Sequence, residues 1–116
     1  MIDLNLSHNK FIKLNGALSH LINLNFLDIS FNSIEEFEVY KELPPSIHVL
    51  RCNSNPFLRK PTPSGESGKE YHRKLIVLAL TELAELDRTS VLPMERLKYQ
   101  GKLPQHLHAQ VDRRLK

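Results

Sequence analysis

Leu24-Asn25-Phe26-Leu27-Asp28-Ile29-Ser30-Phe31-Asn32-Ser33-Ile34 is the stretch that decides the fold of this 116-residue chain. Its apolar residues Leu24, Leu27, Ile29 and Ile34 are spaced around an asparagine, Asn32. The same spacing recurs without gaps on both sides, as Leu4-x-Leu6-x-x-Asn9-x-Phe11 and as Ile47-x-x-Leu50-x-Cys52-x-x-Asn55-x-Phe57. Asn9, Asn32 and Asn55 stand 23 residues apart, and so do Leu4, Leu27 and Leu50. Three copies at one period define an internal repeat, whose units bury their apolar faces by stacking on one another.

Within each unit the alternating apolar positions predict a short strand with one face inward, and the asparagine falls where the chain turns out of it. A buried asparagine there can satisfy backbone groups of its own coil and of the next, so Asn9, Asn32 and Asn55 are read as structural. Leu14, Leu18 and Leu21, then Phe37, Tyr40 and Leu43, are expected to pack the convex side through helical or 3-10 turns, with Pro44-Pro45 ending the second such segment. Cys52 takes the slot of Leu6 and Ile29 and reads as a small buried hydrophobe. The fold class is therefore α/β: a right-handed repeat solenoid (residues 1–57) with a parallel concave sheet.

Beyond Asn55 the period breaks into a proline-rich loop, Pro56 to Gly65. Ser67 and Glu70 have capping-box spacing, which predicts a helix from about Gly68 to Leu86. Leu75, Leu78, Ala79, Leu83 and Leu86 form one stripe suited to covering the last coil, so residues 58–91 are loop and cap. Ile76, Val77 and Leu80 make that stripe wider than a cap needs. They suit either a second partner or a tail folded back over them. Residues 92–116 form the tail, with helical character in Pro93 to Tyr99 and Gln105 to Leu115, both too short to be stable alone in water.

The cap carries a resemblance. Asn55-Pro56, then Tyr71-His72-Arg73-Lys74-Leu75, then Leu80-x-x-Leu83-x-x-Leu86-Asp87-Arg88 and Val91 resemble the terminal cap of short-coil leucine-rich-repeat proteins. That family includes the phosphatase-1 regulator, the spliceosomal leucine-rich subunit and many ciliary proteins. The likeness covers about residues 2 to 91, with a longer loop between Asn55 and Tyr71 and a start inside a repeat. It implies a protein-binding scaffold in a cytoskeletal assembly such as the ciliary axoneme, with tubulin or axonemal proteins as partners. Phosphatase regulation and a ribonucleoprotein subunit are the alternatives it implies. With nothing above Leu4 and Leu6, a covering neighbour is expected: further coils or another subunit.

Residues flanking the inward leucines project onto the concave face in three columns, Asp3, Phe26, Val49, then Asn5, Asp28, Arg51, then Ser7, Ser30, Asn53. Phe26 and Val49, with Asp28 and Arg51, are the expected interface, because an aromatic at such a position is a favoured anchor. Simple solvation of the same side chains is the other reading.

Composition narrows the function classes. At 41% hydrophobic and 25% charged residues the chain is that of an ordinary globular domain. One cysteine, Cys52, excludes an intramolecular disulfide, and no Cys/His cluster suggests a metal. The longest apolar run, Leu75 to Leu80, is too short to span a bilayer, so a membrane is not expected as a partner and the setting is read as cytoplasmic. No nucleophile–base pair or phosphate loop is visible, and Gly65-x-x-Gly68-Lys69 has the wrong glycine spacing. Neither catalysis nor a cofactor is expected. The net charge is +3. Residues 1–57 hold four Lys/Arg against six Asp/Glu, and residues 88–116 hold seven against two. Arg96, Lys98, Lys102, Arg113, Arg114 and Lys116 could meet RNA or an acidic protein surface, although Tyr99 is the one aromatic there for stacking.

Overall fold

The computed structural model describes residues 2–38 and 42–115, so Tyr40 and Lys116 lie outside the described residues. Five strands form one sheet in sequence order: β1 Ile2–Asn5, β2 Leu24–Asp28, β3 Val49–Arg51, β4 Glu85–Leu86 and β5 Thr89–Ser90. The first four run parallel, and β5 folds back antiparallel on β4. Three helices follow β3 in the chain or lie beyond the sheet: α1 Gly68–Ala79, α2 Pro93–Tyr99 and α3 His108–Arg114, with 3-10 turns at Pro56–Arg59 and Gln105–Leu107. The architecture is mixed α/β with a mostly parallel sheet.

Register follows the repeat. Leu4, Leu27 and Leu50 are direct partners across β1, β2 and β3. Leu24, Leu27, Ile29, Ile34, Ile47, Leu50 and Phe57 are fully or almost fully buried, because the inward positions of successive strands stack into one core. Leu14, Leu18, Phe37 and Leu43, from the segments between the strands, join that core. Residues 14–21 do so through i to i+3 bonds, from Ala17 N to Leu14 O, Ser19 N to Gly16 O and Leu21 N to Leu18 O.

At each period the chain leaves the strand through a left-handed residue: His8, Phe31 and Ser54 have φ of 57°, 56° and 59°. These are the residues before each repeat asparagine. Holding a phenylalanine there costs on the order of 1 kcal/mol, which the surrounding ladder of hydrogen bonds must offset.

Helix α1 starts where the capping box predicts, with Ser67 Oγ accepting from Glu70 N at 3.1 Å. It ends at Ala79, earlier than expected, and Leu86 joins the sheet instead of a helical stripe. The free edge of β3 explains this. Ala84 N donates to His48 O at 2.7 Å and Asp87 N to Leu50 O at 2.9 Å, satisfying backbone groups that a continued helix would leave unpaired. The buried stripe of α1 is consequently Arg73, Ile76 and Val77, continued by Leu80. Leu75 and Leu78, expected in the stripe, are 40% and 37% exposed.

Candidate binding face

The asparagine ladder sets the rows from which the outward side chains project. Asn55 is fully buried; its amide donates to Ile29 O and Cys52 O at 3.0 Å each, and its carbonyl accepts from Ile34 N at 3.2 Å. Asn32 repeats the pattern one unit earlier, donating to Leu6 O and Ile29 O at 3.0 Å and accepting from Phe11 N at 3.3 Å. Asn9 reaches Leu6 O and Ser7 O of its own unit and is exposed.

Two of the three expected columns are rows of the sheet, and the third, Ser7, Ser30 and Asn53, lies beyond the ends of the strands. Asp3, Phe26, Val49 and Glu85 are register partners in turn, and Asn5, Asp28 and Arg51 form the next row. Asp3 and Asn5 are exposed, while Phe26, Val49, Arg51 and Asn53 are half-buried on the same face. The Arg51 guanidinium lies 5.2 Å over the Phe26 ring.

Asp28 departs from expectation. It is buried, and its carboxylate is turned along the strand to accept from Ser30 N at 2.9 Å and Ser30 Oγ at 2.5 Å. Asn5 does the same for Ser7 N at 2.9 Å and Ser7 Oγ at 2.6 Å. In the third unit the acceptor position is Arg51, which cannot accept, and Asp87 from the β4–β5 turn takes over: its Oδ1 accepts from Cys52 N at 2.7 Å and Asn53 N at 3.1 Å. Asp87 and Arg88 both sit at positive φ, 47° and 69°, as a two-residue hairpin turn demands. Asp28 and Asp87 are thus spent on backbone N–H groups, and neither pairs with Arg51. Cys52 is sealed beneath this turn, and burial, then the neighbouring Asp87 carboxylate, push its thiol well up from the ordinary range.

Ile76, Val77 and Leu80, the other expected partner surface, are buried. Ile76 and Leu80 belong to the core that continues from the sheet, so they are the inward stripe of α1 itself, while α2 packs on α1 from the tail. A buried polar network joins them. Arg73 donates from Nε to Glu95 Oε2 at 2.5 Å and from Nη2 to Glu95 Oε1 at 2.9 Å, and also reaches Leu86 O, at 3.3 Å, and Ser90 O, at 3.2 Å. Tyr99 Oη donates to Glu95 Oε2 at 2.8 Å. Burial and then this hydrogen bond push the Tyr99 phenol far up. For Arg73, burial opposes the charge, but the bonds and charge of Glu95 outweigh it and the guanidinium is held up.

Much of the basic tail is likewise used internally. The Arg96 guanidinium donates to the carbonyls of Val77, Leu80 and Leu83, closing the open end of α1. Lys98 pairs with Asp112, and Arg114 donates to Ser90 O at 2.7 Å. Lys102 and Arg113 are exposed and, among the described tail residues, are the basic ones without a partner. Between α1 and the tail runs a groove of about 740 Å³ whose lining mixes signs, with Lys69, Lys74 and Lys98 facing Glu66, Glu70 and Asp112.

Neither Glu85 nor Asp87 was legible as part of the face, because both lie beyond the loop that breaks the 23-residue period. Glu95 gave no signal either, being one carboxylate in a basic tail. Among the described residues there is no group of His, Cys, Asp or Glu that could hold a metal ion, and no helix long and apolar enough to cross a membrane. No family model matches the chain, and no curated protein matches it.

Proposed function

We propose that the chain is the capped end of a leucine-rich-repeat solenoid that binds other proteins through the exposed face of its sheet and performs no catalysis. Support for the solenoid comes from the register, in which each 23-residue period adds one parallel strand and one rung of the asparagine ladder. The binding role is carried by one observation. Phe26 and Val49 stand side by side on a sheet face, and beside them Arg51 has no carboxylate partner, its Nε being buried without any hydrogen bond. The stacked guanidinium holds the Phe26 ring in place as an anchor on that face.

The cap motif, resembling the short-coil family, favours a structural subunit of a cytoskeletal assembly such as the ciliary axoneme, with tubulin or axonemal proteins bound, over phosphatase regulation. RNA contact through the tail is the weaker reading, because Arg96, Lys98 and Arg114 are already committed inside the molecule. Affinity capture from a ciliated-cell extract, with the native chain and a Phe26→Ser/Val49→Ser variant side by side, tests this. Tubulin or axonemal proteins held by the native chain and lost by the variant, with circular dichroism unchanged, are expected. Equal recovery by both chains, or recovery of spliceosomal RNA with its proteins, overturns it.

A further inference from the structure

The row Asp3, Phe26, Val49, Glu85 crosses four adjacent strands and places two apolar side chains between two acids. The carboxylates of Asp3 and Glu85 have no hydrogen bond or ion pair. In the next row Asp28 is the register partner of Arg51, and Asp87 and Arg88 occupy the hairpin turn beyond β4. Asp3 and Glu85, at the two ends of the row, flank one guanidinium, Arg51, an arrangement that attracts a cationic group at each end and repels an anionic partner.

Spacing narrows the partner further. Neighbouring strands lie about 4.8 Å apart, so the acids at the two ends of the row are about 14 Å apart. An extended chain advances about 3.3 Å per residue with alternate side chains on one face, so residues i and i+4 lie about 13 Å apart with i+2 between them. On an α-helix the nearest same-face pairs, i to i+7 and i to i+11, fall about 10.5 and 16.5 Å apart, a poorer match to the row than the extended spacing.

We infer that the row Asp3, Phe26, Val49, Glu85 docks an extended segment of a partner protein with the pattern basic, x, apolar, x, basic. The two Lys or Arg side chains meet Asp3 and Glu85, and the apolar residue sits on Phe26 and Val49. Arg51, stacked on the Phe26 ring, fixes that anchor's position and excludes a third cation from the centre of the row. This rests on the sheet face being the binding surface.

The test pans the full chain against a display library of random twelve-residue peptides and measures the enriched sequences by calorimetry. The variants are Asp3→Asn/Glu85→Gln, which preserves side-chain shape, and Phe26→Ala, each checked by a thermal melt. Expected are peptides with basic residues four apart around an apolar one. Their affinity should fall about five- to tenfold in the double variant at low salt, by loss of two exposed charge pairs, and about 30-fold in Phe26→Ala, by loss of a central anchor. High salt should erase the first difference and leave the second. Peptides that need Phe26 but are neutral or acidic, or that bind the double variant unchanged, overturn the inference and leave the face as a binding surface. Enriched peptides indifferent to every substitution, or none enriched, overturn both.

Discussion

Asn55 and Asn9 occupy the same step of the repeat and should differ sharply in their contribution to stability. Asn55 satisfies carbonyls of two repeat units and the N–H of Ile34 from a fully buried position, whereas exposed Asn9 bonds within its own unit. Asn55→Ala should cost about 3 kcal/mol, chiefly from orphaned buried backbone groups, and Asn9→Ala less than about 1 kcal/mol. Urea unfolding of the two variants checks this. His72 supplies a second residue-scale expectation. It is packed edge-on to Phe57 at 4.9 Å and Tyr71 at 5.2 Å, and burial lowers its pKa from 6.5, opposed by a bond to the Phe57 backbone. A depressed folded value means the native state binds its proton later than the unfolded chain does. Its contribution is present above pH 6.5 and is lost as pH falls through the folded value. The thermal midpoint should therefore drop on acidification below that pH, and by less in His72→Phe.

Among the elements, the attachment of α2 to α1 depends on charge more than on apolar area. The Arg73–Glu95 pair is 9% and 1% exposed at its side chains. Removing one partner, as in Glu95→Ala, strands a buried guanidinium and should cost about 3–5 kcal/mol. Replacing both, as in Arg73→Met/Glu95→Leu, should recover most of that loss, because two desolvated charges give way to packed apolar groups. A double-mutant cycle by chemical denaturation reads both numbers. Arg96→Ala removes the donor to three carbonyls at the end of α1 and should cost about 2 kcal/mol. A much smaller loss would mean that water replaces the guanidinium there.

For the whole molecule, the two ends of the chain have opposite electrostatic roles. The sheet face keeps free carboxylates at Asp3 and Glu85, while most described cations of the tail are consumed in holding α2 and α3 against α1 and β5. Polyanion binding should accordingly be weak. In a salt titration of any RNA affinity, the slope should report about two phosphate contacts, from Lys102 and Arg113, rather than one per basic residue described in the tail. A steeper slope would mean that the tail detaches from the cap to bind.

The sequence by itself determined the part of this protein governed by local period. Strands β1 to β3, their register, the repeat asparagines and the outward residues Phe26, Val49 and Arg51 all follow from a 23-residue spacing, since each unit meets its neighbour through the same positions. After the period broke, the start of α1 at Ser67 and the helix Pro93–Tyr99 were still legible, and tertiary structure decided how these segments end and pack. Where α1 stops was set by the open edge of β3 recruiting Glu85 and Leu86, not by the stretch's own helical pattern. Whether Arg73, Glu95 and Arg96 face solvent or one another depended on how α2 docks. Whether Asp28 is a surface charge or a backbone acceptor depended on a hydroxyl two residues away. Pairings of that kind are contingent on distances between elements, and a linear pattern records periodicity but not those distances.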